Sequence, residues 1–318
     1  MILLVPFLTL AHAWSQETTK GLFQPRHATS LVAMNDTLFL IGAQGEEQKN
    51  VAAFTIGQSD QYNWKMMSLT PISMHHAQAV SVKDRILIAG AFSGDFPHEK
   101  PVPHVWWFFP LRNHWMRGVE IPIDRQRGSA GAVLTSDNNL FLVGGIKNGH
   151  MDGFVPYLDL LDLSTSKWEV LPDAPHARDH FQAALFENRK VVCAGGRTTH
   201  FRIGKLFELT VAPVDVFDIS AGDWQTIAPI PTPRAGAMTV LRNSEMFVMG
   251  GESSQPQAHD EVEVLDVSTS TWRRAGRLES GRHAGGAAIV NDITYIVAGC
   301  GTHGGDLEYD TVETIRLI

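Results

Sequence analysis

Arginine and histidine recur in this chain at matched places. Arg26-His27, His75-His76, Arg127, Arg178-Asp179-His180, Arg234 and Arg282-His283 each open an apolar run, and Arg197 and Glu252 follow runs that end in glycine. A guanidinium stays charged and its planar fork fits a carboxylate, so arginines that converged on one point would attract an anion. Imidazoles move protons near neutral pH and also ligate transition metals. The residues placed to transfer protons are Asp179, His180 and Glu252. Those placed to hold a ligand are Arg26, His27, His75, Arg127, Arg178, Arg197, Arg234, Arg282 and His283.

The elements that position these residues follow from a repeat. Trp14, Trp64, Trp115, Trp168, Trp224 and Trp272 are separated by 50, 51, 53, 56 and 48 residues. After each comes a polar start, then an apolar run, a turn carrying Asn or Asp, and a second apolar run ending at Gly42, Gly90, Gly144-Gly145, Gly195-Gly196, Gly250-Gly251 or Gly299. Asn and Asp tolerate the left-handed backbone that tight hairpins need. Asp162, Asp218 and Asp266 precede their tryptophans by six residues. A further strand between glycine and tryptophan, such as Val262 to Leu265, brings each unit to four. One such sheet cannot bury both faces, whereas six arranged radially cover one another and leave short edges.

A repeat of this length, with strand-terminal double glycines and a spaced tryptophan, resembles the kelch family. The resemblance covers Trp14 to Ile318 and implies an all-β, six-bladed kelch β-propeller with four-stranded blades, in one domain over residues 14–318. The chain departs from the pattern at Gly42-Ala43, Gly90-Ala91 and Gly299-Cys300. The last unit ends with a strand near Thr311–Leu317 and lacks its tryptophan strand. The segment around Trp14 is expected to supply it and so close the ring.

In kelch propellers the loops that enter the innermost strands share a face with those that follow the second strands. That face would collect most of the 14 histidines, together with the arginines. Two readings of the arginines stand side by side: they cap carbonyls and pair within blades, or they line the channel mouth and bind an anionic guest, with an acidic sugar or acidic peptide as partner. A metal would need histidines meeting from different blades, because no His-x₃-His or Cys-x-x-Cys spacing occurs and His75-His76 would face opposite sides of a strand. No metal ligand set and no cofactor is assigned. Tyr62, Tyr157, Tyr295 and Tyr309 do not precede histidine, which argues against the copper-radical chemistry of galactose oxidase. The architecture is also similar to that of bacterial sialic-acid mutarotases, which implies an acid–base isomerase as the alternative to a binding module. A protein-interaction scaffold is the third reading.

The net charge of −8 argues against a nucleic-acid partner. Met1–Ala13 is apolar and ends Ala11-His12-Ala13, as a cleaved signal peptide does, although no Lys or Arg precedes it. It is shorter than the roughly 20 residues of a membrane span. A secreted or periplasmic location is therefore expected. Cys193 and Cys300 are expected to be buried free thiols.

Overall fold

The computed structural model describes residues 15–21, 24–45, 49–57 and 63–316. Among these, six four-stranded antiparallel sheets are arranged as blades, and no helix is long and apolar enough to cross a membrane. The innermost strands, in blade order, are Ser30–Met34, Val80–Val82, Gly131–Leu134, Ala183–Phe186, Met238–Arg242 and Gly286–Val290. Their hairpins turn where Asn35, Lys83, Asn138, Asn188, Asn243 and Asn291 take positive φ, which is the left-handed backbone expected of the Asn/Asp turns.

Blade six is built from both ends of the chain. Ser15–Lys20 runs antiparallel to Thr311–Arg316, with Ser15 opposite Arg316 and Lys20 opposite Thr311. The ring is thus closed by an N-terminal strand. Trp14 and the expected signal segment Met1–Ala13 lie outside the described residues.

Each pair of neighbouring blades shares an apolar core, and the spaced tryptophans sit in these cores. Trp64 packs against Ala288 and Tyr295 of blade six, and Trp115 against Val32 and Phe39 of blade one. Trp224 and Trp272 also donate their indole N–H to carbonyls of the preceding blade, Pro172 at 2.8 Å and Ala228 at 3.0 Å. The aspartates six residues before tryptophan hold the outer hairpins. Asp218, for example, accepts from the Ser220 and Ala221 amides at 2.9 and 3.1 Å.

The glycines mark the closest approach between blades. A Cβ on Gly250 would lie 2.1 Å from the Arg282 carbonyl oxygen, and one on Gly144 would lie 2.5 Å from that of Arg178. The following glycines donate to the same carbonyls, Gly145 to Arg178 and Gly251 to Arg282, both at 2.8 Å. One step further in, Ala28, His76, Ser129, His180, Gly236 and Ala284 all take positive φ, one per blade. Their backbones form a ring around the axis. The amides of His76, Ser129, His180, Gly236 and Ala284 donate to Ala28, His76, Ser129, His180 and Gly236 in turn, at 2.6–3.2 Å, and Thr29 closes the circle on Ala284 at 3.2 Å.

Two changes test this closure. Removing residues 15–20 strips blade six of its outer strand, so the melting temperature should fall by many degrees or the chain should not fold. Gly250→Ala should destabilise by several kcal/mol, because both φ and the Arg282 carbonyl oppose a side chain. Thermal unfolding at matched protein concentration measures both, and an unchanged melting curve for the truncated chain would refute closure by this strand.

Candidate functional site

The five strand-opening arginines do not converge on the channel. Arg127, Arg178, Arg234 and Arg282 are at most 1% exposed and Arg26 is 3% exposed. Each of the first four reaches back into its own blade to a carboxylate on the third strand. Arg127 pairs with Asp159 at 2.7 Å, Arg178 with Asp215 at 2.6 Å, Arg234 with Glu263 at 2.5 Å and Arg282 with Glu313 at 3.2 Å. Their remaining N–H groups cap strand-end carbonyls, as Arg127 does at Gly144 (2.6 Å) and Leu142 (2.8 Å). Arg26 donates to the Asn50 carbonyl at 3.2 Å. The expectation of an anion held by a ring of these guanidiniums is corrected accordingly. Their charge is matched inside each blade, and the bracing alternative is the one the structure contains.

The face itself is where the sequence placed it. A cavity of about 340 Å³ opens on the axis. Its floor is the ring of left-handed residues and the residues after them, including Thr29, Ala130 and Phe181. Of the expected ligand residues, His27, Arg197 and His283 line it, and of the proton-transfer candidates, His180 and Glu252 do. Asp179 is fully buried behind His180. His75 is buried and lies beside the cavity without lining it.

One wall carries a charge-paired cluster. Arg197 donates to Glu252 at 2.6 Å and to the Thr199 hydroxyl at 2.8 Å. Glu252 accepts from the Gly304 amide at 3.0 Å and stands 3.6 Å from His283. Burial alone would raise the Glu252 pKa, but His283, Arg197 and the Gly304 amide outweigh it and hold the carboxyl well below the usual range. Burial lowers the His283 pKa while the Glu252 carboxylate opposes that shift, and His283 Nε2 donates to the Thr302 carbonyl at 2.8 Å. His27 is held between Gln44 at 2.7 Å and Glu308 at 2.6 Å.

Adjoining it through Thr199 and Asp179, a second stretch of wall brings together histidines from three blades. His76, His150 and His180 each place a ring nitrogen within 4.8 Å of the other two, and the Nε2 atoms of His150 and His180 are 2.9 Å apart. His180 turns its Nδ1 to Asp179, which also accepts from the Thr199 hydroxyl at 2.6 Å. His150 Nδ1 lies 2.7 Å from Glu99 Oε1, off the straight hydrogen-bond line. His76 is not on a strand, as its neighbour in sequence would suggest. Its φ of 51° turns the ring back, so His75 and His76 touch through their Nδ1 atoms at 2.6 Å rather than facing opposite sides. Burial lowers His75 and His180 to about 4 and His76 well below its usual value, with repulsion from Arg197 and the other histidines adding to the effect.

Sequence reasoning missed Glu99, Phe96 and Phe207. Glu99 and Phe96 belong to a loop of blade two between Phe92–Ser93 and Lys100–Pro101, and Phe207 belongs to the long loop after Arg197. None repeats from blade to blade, so the periodicity gave no signal for them. The apolar positions Phe96 and Phe207 on glycine-rich loops were the visible hint.

A model of the "KLHDC2/KLHL20/DRC7 Kelch-repeats domain" matches residues 129–315. The chain belongs to the kelch-repeat family. Kelch propellers are protein-interaction modules. The chain is 24% identical to Kelch-like protein terF of Aspergillus terreus over 94% of its own length and 66% of that protein's, and 28% identical to beta-scruin of Limulus polyphemus over 43% and 15%. It therefore spans less than two thirds of the length of these relatives. A solved structure described as "Structure of YjhT" superposes with a TM-score of 0.76 at 15% identity, over 92% of this chain and 95% of that one, a likeness of fold alone. The matched span takes in strands of blades three to six, whose opening arginines each have a carboxylate, although Arg127 itself lies just before it.

The brace has a direct test. Arg178→Ala leaves Asp215 buried without its guanidinium and should cost about 3–5 kcal/mol in unfolding free energy. Arg178→Lys should recover only part of it, since the fork is lost. Stability unchanged in both variants would argue against bracing. A second test uses pH. The folded-state pKa of Glu252 is depressed, so its contribution to stability is full above the ordinary glutamate pKa of about 4.3 and is lost as pH falls below it. The difference in melting temperature between the parent and Glu252→Gln should narrow from pH 6 to pH 3, and a constant difference would exclude the effect.

Proposed function

We propose that this kelch propeller is a recognition module whose axial cavity binds a small polar guest of the sugar class. The observation that carries the reading is the cavity itself: a pocket of monosaccharide size, with polar groups fixed by partners before any guest arrives. Arg197 and Glu252 offer an ionic donor and acceptor side by side, and His27 and Gln44 add a third polar corner. Phe96 and Phe207 supply apolar walls on which a sugar ring can lie.

The charge of the cavity narrows the acidic guest. Among the described residues Arg197 is the one arginine lining it, and Glu252 and Asp306 line it as well. A guest with a single carboxylate, such as a sugar acid, is accommodated at Arg197 while hydroxyls meet the carboxylates. An acidic peptide with several carboxylates would be repelled. The same groups support the isomerase alternative, since neutral His180 backed by Asp179 can take the proton of the anomeric hydroxyl and return it to the ring oxygen, while anionic Glu252 holds a neighbouring hydroxyl. The apolar Met1–Ala13 segment supports export, which predicts a mature N-terminus at Trp14 in secreted material.

Calorimetric titration with hexoses, hexuronic acids and nine-carbon sugar acids, in the presence of a chelator, tests the proposal. Saturable one-to-one binding is expected, weakened about tenfold by Phe207→Ala, in keeping with roughly 1.5 kcal/mol for a lost ring contact. Exchange spectroscopy on the bound sugar separates the two readings: faster anomer exchange makes the protein an isomerase, and binding at the uncatalysed exchange rate makes it a module. Absence of saturable binding across the panel would overturn both.

A further inference from the structure

The histidine wall does more than a sugar pocket requires. Its hydrogen bonds, and for His150 the carboxylate set against Nδ1, assign which nitrogen of each ring is free. His75 Nε2 lies 3.0 Å from the Gly94 carbonyl, to which it can only donate, so His75 Nδ1 must accept. His76 Nδ1, 2.6 Å away, is then the donor, and His76 keeps its lone pair on Nε2. His180 Nδ1 faces the Asp179 carboxylate, and His150 Nδ1 faces that of Glu99. Both rings are therefore left with lone pairs on Nε2, and these two atoms meet at 2.9 Å. Two lone pairs at that distance repel unless a cation lies between them.

We propose that His76, His150 and His180 bind one divalent transition-metal ion, zinc foremost, with a further coordination position open to the axial cavity. Three neutral imidazoles form a ligand set for zinc with a fourth position left for water or a guest oxygen. At zinc–nitrogen distances of about 2.0–2.1 Å, tetrahedral ligands stand about 3.3 Å apart, which falls between the closest approach here and the 4.8 Å limit of the cluster. A small parting of the His150 and His180 Nε2 atoms, with rotation of the partly exposed His76 ring, takes up the difference.

The surroundings supply the rest of a metal site. Each of the two buried rings has a carboxylate behind its Nδ1, the arrangement that orients ligating histidines and raises their basicity. Glu99 and Asp179 are both buried, and Arg197, 4.0 Å from Asp179, is already paired with Glu252 at 2.6 Å. A bound dication balances the two carboxylates. Phe92 and Phe96 close on His150 with ring centroids 6.3 and 5.1 Å away, which keeps that side of the site dry. All three histidines line the cavity, so an oxygen of a guest (hydroxyl or carboxylate) could complete the coordination sphere.

The inference does not depend on the sugar reading and is tested without sugar. The full chain is stripped with a chelator and titrated with zinc by calorimetry and with cobalt(II) by visible absorption. One equivalent per chain is expected, with the intense absorption of tetrahedral cobalt. His150→Gln and His180→Gln should each weaken binding at least about a hundredfold, and Glu99→Gln, which leaves all three ligands in place, by about ten- to a hundredfold. His114→Gln, on the exposed outer strand of blade two, should bind as the parent does. Melting curves establish that each variant is folded. If the histidine variants do not fold, the Glu99→Gln affinity and the cobalt spectrum of the parent decide. Absence of one-to-one binding by the folded parent, a weak octahedral cobalt spectrum, or undiminished affinity in the folded variants would overturn the proposal, leaving a shared proton between His150 and His180.

Discussion

Everything in this propeller depends on how closely six sheets approach one axis. The amides of five left-handed residues and of Thr29 donate to the blade before, so the backbone at the centre is consumed in a closed circle. No blade can shift outward without breaking two of these bonds. The glycines at the strand ends are the steric counterpart, since the Arg178 and Arg282 carbonyls occupy the space a Cβ would need. The strand pairing of Ser15–Lys20 with Thr311–Arg316 closes the same circle at its rim.

That approach also explains the buried arginines. Carbonyls at the ends of the inner strands point into a crowded region with no water, and a guanidinium can donate to several of them at once. Placing the cation there demands a carboxylate, which the third strand provides through Asp159, Asp215, Glu263 or Glu313. The consequence for function is electrostatic. With these charges paired inside the blades, the cavity is left with Arg197 against Glu252 and a wall of largely neutral imidazoles.

Much of this was legible in the sequence, for identifiable reasons. The tryptophan spacing marked the blades because Trp64, Trp115, Trp168, Trp224 and Trp272 all do the same job between neighbouring sheets. The missing tryptophan strand after Thr311 pointed to the N-terminus because a sheet edge must be paired. The face that collects His27, His180, Arg197, Glu252 and His283 followed from strand order alone. Side-chain direction did not. Arg178 reaching back to Asp215 is a matter of side-chain path, and His76 turning onto His75 of a φ of 51° at one residue, neither of which residue type encodes. Convergence of His150 with His180 depends on how loops of the neighbouring blades three and four fold toward each other, and a linear repeat carries no information about that distance.

Division of labour between the blades follows from the same facts. Blades three to six keep the arginine–carboxylate brace, and they are the span the family model matches. Blade two replaces the arginine with Met74 and places His75-His76 after it, and its loop extends over the cavity with Phe96 and Glu99. Met74 instead joins the apolar core between blades one and two. The histidine wall is assembled around that departure, with His76 from the unbraced blade meeting His150 and His180 from braced ones. The regular blades hold the backbone fixed, and the irregular one brings the chemistry to the axis.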